Sequence, residues 1–158
     1  WAGAFGYFQF MPSTMKNYAI DYDKNSYIDL KNNNDAYASA ANYLSQIGWN
    51  DKLPCFYKIN LLNNVPKKYL NVSAKKLHNK KKLKYFRKYI SDEYILDKKF
   101  DNLTTSLITP DKDIIPDAET LSPAYIVFDN YEIILKWNRS LRFSLAVCTL
   151  KDKLKNEL

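Results

Sequence analysis

Residues 36–47, AYASAANYLSQI, can be little other than a helix. Four of the twelve are alanine, the residue that gives up least on entering a helix. Tyr37, Ala40, Ala41 and Leu44 recur at the spacing of one helical face. Asp35 stands where an N-cap belongs and Gly48 where a left-handed C-terminal residue belongs. Upstream, Pro12 followed by Ser13 and Thr14 opens a shorter helix that runs to about Tyr18. A polar loop from Asp21 to Asp35 separates the two, so this part of the chain reads helix–loop–helix.

The remainder reads differently. Short runs at Phe56–Asn60, Thr104–Thr109 and Tyr125–Phe128 have the composition of strands. Leu83, Phe86 and Ile90 keep helical spacing between the first two. Pro110, Pro116 and Pro123 mark a loop region. Asp129 with Glu132 three residues on resembles a capping box, for a helix to about Trp137. Ser140 then caps a last helix, with Leu141, Leu145 and Cys148 on one face and Phe143, Val147, Leu150 and Leu154 on another. The fold class is α+β, mainly helical with a small β-sheet. The expected organisation is a single domain over 1–158. Within it, 1–50 carries the helix–loop–helix, 51–123 a basic insertion and the sheet, and 124–158 the C-terminal helices.

A hydrophobic share of 46% and an aromatic share of 15% exclude a disordered chain. No apolar run approaches the roughly 18 residues of a membrane-spanning helix. The chain opens on Trp1 rather than a charged, Met-initiated leader, and so reads as a fragment. Cys55 and Cys148 form no metal pattern; they read as two core thiols, or as a disulfide if the fold brings them together. The net charge of +7 is localised, since residues 67–88 hold ten Lys or Arg and no acid. That segment is either a solvated face or a contact for a polyanion. Lys84-Tyr85-Phe86-Arg87 interleaves cations with aromatics in the way single-stranded nucleic acid favours. That reading ranks last because it ignores the motifs at both ends of the chain.

Three constellations carry chemistry. Gly3-Ala-Phe-Gly-Tyr-Phe-Gln-Phe-Met-Pro-Ser13 sets flat rings beside the amide of Gln9. Sugars have apolar faces and polar edges, so the block suits a glycan cleft; an aromatic core strand is the alternative. Asp21, Asp23 and Asn25, with the carbonyl of Tyr27, place oxygens at positions 1, 3, 5 and 7 of a loop suited to calcium. Positions 6 and 12 are Ser26 and Asn32, not the Gly and Glu of an EF-hand, and Asp35 at position 15 can supply the missing acid. The alternative is a polar turn in water. In the third constellation, Trp137-Asn138-Arg139-Ser140, a stacking ring stands beside an amide at a helix junction.

Taken in order, GAFGYFQFMPS, the Asp-rich loop, ANYLSQIGW (Ala41–Trp49) and ILKWNRS resemble the membrane-bound lytic murein transglycosylase B family. The likeness covers 1–50 and 124–151 and is poor between them. It implies a lysozyme-like fold with its N-terminal part missing here. It also implies cleavage of the β-1,4 bond between N-acetylmuramic acid and N-acetylglucosamine in peptidoglycan. In that family the muramic acid 6-hydroxyl attacks, giving a 1,6-anhydro product, and one Glu serves as acid and then as base.

Carried onto this sequence, the resemblance gives Gln9 and Asn138 hydrogen bonds to substrate or to the catalytic carboxylate. Phe10, Tyr43, Trp137 and Phe143 line sugar subsites, Trp137 and Phe143 standing where tyrosines also occur. Asp21, Asp23, Asn25, Tyr27 and Asp35 hold a structural calcium ion, and no organic cofactor is implied. The catalytic Glu is expected upstream of residue 1, and none of Glu93, Glu119, Glu132 and Glu157 lies in a family motif. The expected partners are peptidoglycan strands and an upstream piece of the same enzyme, with no nucleic acid. The expected place is the periplasm, with membrane attachment only through an N-terminus not in this chain. A non-catalytic wall-binding or calcium-binding module is the competing expectation.

Overall fold

The computed structural model describes residues 3–112, 119 and 121–157, with the side chain of Asn156 outside the description. Pro116 therefore lies outside the described residues. The chain divides into two compact units, Trp1–Asn50 and Asp51–Leu158.

The first unit opens on a tight loop. Phe5 and Phe10 exchange backbone hydrogen bonds of 2.9 and 2.8 Å. The turn between them needs Gly6 at φ +75°, and a Cβ there would sit 2.5 Å from that of Leu30. The close approach lets the Tyr7 N–H donate to the Leu30 carbonyl at 3.0 Å. Helix α1 follows as Pro12–Tyr18, with the expected proline start. Helix α2 spans Asn33–Gln46.

Its cap is not Asp35. The side chain of Asn32 accepts from the Asn34 N–H at 2.8 Å, and the helix begins there. Asp35 falls inside the first turn, fully buried. Gly48 takes φ +104° just past the helix, as its position implied. Asn42 Nδ2 donates to the Tyr18 carbonyl at 2.8 Å, and the Ser39 hydroxyl accepts the Ile20 N–H at 3.0 Å. Those two bonds tie α2 to the chain leaving α1.

The second unit is a mixed sheet with helices. Its strands are β1 (Phe56–Ile59), β2 (Leu70–Asn71), β3 (Lys81–Lys82), β4 (Thr104–Ile108) and β5 (Ala124–Val127). The order is β1-β5-β4-β2, with β3 on β4. β5 pairs antiparallel with both β1 and β4, so residues from 124 onward belong to the same unit as 51–112. The other edge of β4 is shared: Leu107 and Ile108 pair with β2 in parallel, Thr104 and Thr105 with β3 antiparallel.

Short helix α3 (Leu83–Phe86) continues as a 3-10 turn to Tyr89, and Leu83, Phe86 and Ile90 are all buried. They pack with Leu107, Ile126 and Phe128 in one core. Burial of each such side chain contributes about 1.5–3 kcal/mol.

Helix α4 is Asp129–Trp137 and α5 is Leu141–Glu157. Asp129 does not cap α4. Phe128 occupies that position without a side-chain hydrogen bond. Phe128 is drawn there by its burial against the rings of Tyr57 and Phe100, which outweighs a surface cap. Ser140 does cap α5, its hydroxyl accepting the Phe143 N–H at 3.2 Å. Cys55 and Cys148 are joined, 93 residues apart in sequence with Cα atoms at 6.0 Å, which corrects their reading as core thiols. Among the described residues no helix is long and apolar enough to cross a membrane.

Candidate glycan and cation sites

In the first unit, Gln9 stands at φ +50° and its Nε2 donates to the Gly6 carbonyl at 2.8 Å, so the loop itself orients the exposed amide. Ala4, Phe5, Gly6, Tyr7, Gln9 and Lys31 line an open hollow of about 540 Å³. The Lys31 ammonium lies 5.0 Å over the Phe5 ring. Phe10 is only 3% exposed and meets Tyr43 edge to face at 5.8 Å, and Tyr43 meets Tyr18 at 4.9 Å. Burial raises the Tyr43 phenol above its ordinary pKa. Phe10 is thus backing for the loop, whereas Phe5 and Tyr7 carry the exposed rings. Sequence reasoning did not single out Phe5, Tyr7 or Lys31. Their signal was the aromatic block itself, in which ring orientation cannot be read without the Phe5–Phe10 pairing.

The loop between α1 and α2 gathers acids. One carboxylate oxygen from each of Asp21, Asp23 and Asp35 lies within 4.8 Å of the others. Asp21 accepts the Asn25 N–H at 3.1 Å and the Ser26 N–H at 2.7 Å. Asp23 accepts from the Asn25 N–H at 3.2 Å, and the Asn25 side chain accepts the Tyr27 N–H at 2.8 Å. Asp35 accepts from Tyr22 and Asp29 at 2.8 and 2.9 Å. The backbone N–H of Asp29, then that of Tyr22, holds its carboxyl below the ordinary range against the opposing effect of burial. Ser26 reaches φ +70° at the position where an EF-hand has glycine. No ion pair to these three acids occurs among the described residues. Ligands 2.3–2.6 Å from one ion lie within about 5 Å of each other, so an all-oxygen set at this spacing fits a hard divalent cation.

In the second unit the third constellation sits at the junction of α4 and α5. Trp137 is half-buried at the end of α4. The Asn138 N–H donates to the Ile134 carbonyl at 3.0 Å, and its own carbonyl accepts from Ser140 at 2.8 Å, which leaves its amide exposed. Phe143 is 40% exposed one turn on. Glu132, read as a capping residue, instead pairs with Lys80 at 2.5 Å. Glu93, Glu119 and Glu157 are exposed.

The basic segment resolves into structure. Phe86 is fully buried, and Tyr85 shares a 2.8 Å hydrogen bond with the buried Tyr69. Arg87 is tied to the Asp101 carboxylate and the Glu93 and Leu96 carbonyls.

A helix–acid loop–helix unit and a helix-flanked mixed sheet define a lysozyme-like α+β domain. The chain belongs to the transglycosylase SLT domain family, whose model matches residues 1–152. It is 50% identical over 48 residues to membrane-bound lytic murein transglycosylase B of Escherichia coli, a segment of 30% of this chain and 13% of that protein.

Among solved structures it is similar to SltB3 from Pseudomonas aeruginosa in complex with NAG-NAM-pentapeptide, with a TM-score of 0.81 and 30% identity over 98% of this chain. The same protein in complex with NAG-anhNAM-pentapeptide gives 0.80. The chain spans 39% of SltB3. It shares its fold with the Escherichia coli transglycosylase Slt35 in complex with calcium, at a TM-score of 0.68 and 24% identity over 94% of this chain and 43% of that one.

Proposed function

We propose that this chain is the glycan-holding part of a lytic transglycosylase that cleaves the MurNAc–GlcNAc β-1,4 bond of peptidoglycan to a 1,6-anhydro product. The likeness over 98% of the chain to a protein bound to NAG-NAM-pentapeptide carries the reading. In the first unit the Gln9 amide and Tyr43, backed by Phe10, contact the sugar. In the second the Trp137 and Phe143 rings and the Asn138 amide do so. Rings stack on sugar faces and amides hydrogen-bond their hydroxyls.

Proton transfer is assigned elsewhere in the protein. A general acid for this chemistry needs a carboxyl in a largely apolar site. Glu132 is paired with a lysine, and Glu93, Glu119 and Glu157 stand in water.

Asp21, Asp23, Asn25 and Asp35, with the Tyr27 carbonyl, are proposed to hold calcium. The spacing of the three acids supports this. The ion's contribution is structural: it offsets the mutual repulsion of these carboxylates and fixes the loop between α1 and α2. The Cys55–Cys148 disulfide supports an oxidising compartment, in keeping with the periplasm.

The test is to incubate the chain, and a longer form carrying upstream sequence, with peptidoglycan and to search for 1,6-anhydromuropeptides by mass spectrometry. Product from the longer form alone is the expected result. Product from neither form, with no pelleting on glycan, would sink the transglycosylase reading and favour a calcium-binding module. Product from the chain alone would mean that one of its four glutamates is the acid.

A further inference from the structure

A hollow of about 360 Å³ in the second unit lies between the loop 74–80 and one face of α4. Five cationic side chains line it: Lys75, Lys76, Lys80, Lys136 and Arg139. Its one acid, Glu132, closes on Lys80. The other four have no ion-pair partner among the described residues. Leu77 and Leu135, 4% and 7% exposed, back the hollow with hydrocarbon.

The loop is part of the fold. Asn71 Oδ1 accepts the His78 N–H at 2.7 Å while its Nδ2 donates to the Leu107 carbonyl of β4 at 2.9 Å. Asn79 Nδ2 donates to the Lys68 carbonyl at 2.6 Å. The loop that carries Lys75, Lys76 and Lys80 is therefore anchored to the sheet, and the hollow it borders is of a size that takes small ligands.

We infer that this hollow binds a short acidic peptide through its carboxylates, and that, given the proposed peptidoglycan reading, the stem peptide attached to muramic acid is that ligand. Four unpaired cations against no free acid select an anion with several separated charges. Lysine and arginine form charge-assisted hydrogen bonds with carboxylates, and the leucines suit the methyl groups between them. A nucleic acid fits less well. Single-strand binders stack bases on exposed rings along a groove, and among the described residues no aromatic ring lines this hollow.

The test uses the full chain and a fluorescent stem peptide, alone and with all its carboxylates amidated. Anisotropy should show salt-sensitive binding of the free acid, about tenfold weaker binding of the amidated form, and a similar loss in a Lys75→Gln, Lys76→Gln double variant and in Lys136→Gln. Equal binding of both peptides, or binding unchanged in the variants, would overturn the inference. So would oligothymidylate displacing the peptide more effectively than unlabelled peptide, which would make the site a polyphosphate contact.

Pelleting on glycan strands stripped of peptide separates this from the proposed function. Stripped glycan should hold the wild type and the lysine variants equally. If it holds neither, the glycan reading fails, whatever the peptide does.

Discussion

Cys148, on the buried side of α5, is covalently joined to Cys55 immediately before β1. The bond closes a 93-residue separation that contains all five strands of the sheet. By the chain-entropy account a loop of this length stabilises the folded state by about 4–5 kcal/mol. Reduction, or Cys148→Ser, is expected to lower the melting temperature by many degrees. Alkylation of the native chain under denaturing, non-reducing conditions should add no mass. Modification of both cysteines in that experiment would mean that the bridge does not form.

Gly6 and Gly3 make a controlled pair. Both have positive φ, at +75° and +72°. A Cβ on Gly3 would meet only Pro12, at 3.7 Å, whereas one on Gly6 would collide with the side chain and carbonyl of Leu30. Gly3→Ala is expected to cost about 1 kcal/mol of backbone strain, and Gly6→Ala about 2–4 kcal/mol once the collision is added. Chemical denaturation of the two variants checks the order, and equal costs would show that Leu30 yields freely.

The elements most legible in the sequence are those set by local chemistry. Pro12 fixed the start of α1, Gly48 the end of α2, and Ser140 the cap of α5, because each acts within one helical turn. Three misreadings have a common cause in tertiary contacts. Asp35 looked like a cap, but its carboxylate is drawn inward by the N–H groups of Tyr22 and Asp29, leaving Asn32 to start the helix. Asp129 lost the cap of α4 to the buried Phe128, and Glu132 turned to Lys80, 52 residues away. The disulfide was open in the sequence because only the sheet brings its ends together. For the candidate glycan site, the block around Gln9 was visible as a motif, but its exposed rings, Phe5 and Tyr7, emerge only from the fold.

Tyr131 is fully buried, and its hydroxyl donates to the Leu141 carbonyl at 2.7 Å, linking α4 to the first turn of α5. Burial pushes its phenol well above the ordinary tyrosine pKa, so it stays neutral across the accessible range. Tyr131→Phe keeps the packing and removes this bond, leaving the Leu141 carbonyl with its partner inside α5. The expected loss is about 1–2 kcal/mol, read by denaturant unfolding. A neutral outcome would show that the bond inside α5 alone satisfies the Leu141 carbonyl.

Asp35 should make the first unit sensitive to acid. Its folded pKa lies below the ordinary 3.8 because the N–H groups of Asp29 and Tyr22 favour the charged form. A depressed carboxyl contributes stability that is fully present above 3.8 and is lost as the pH falls through the folded value. Asp35→Asn removes that titration, so amide exchange of residues 3–50 should change less between pH 5 and pH 2 in the variant than in the wild type. The same substitution removes one of the three clustered acids. Added calcium should therefore raise the melting temperature of the wild type and leave that of Asp35→Asn nearly unchanged. The two readouts are separable. Acid sensitivity without a calcium response would assign Asp35 to the backbone hydrogen bonds alone, and loss of both in the variant would assign it to the loop and the ion together.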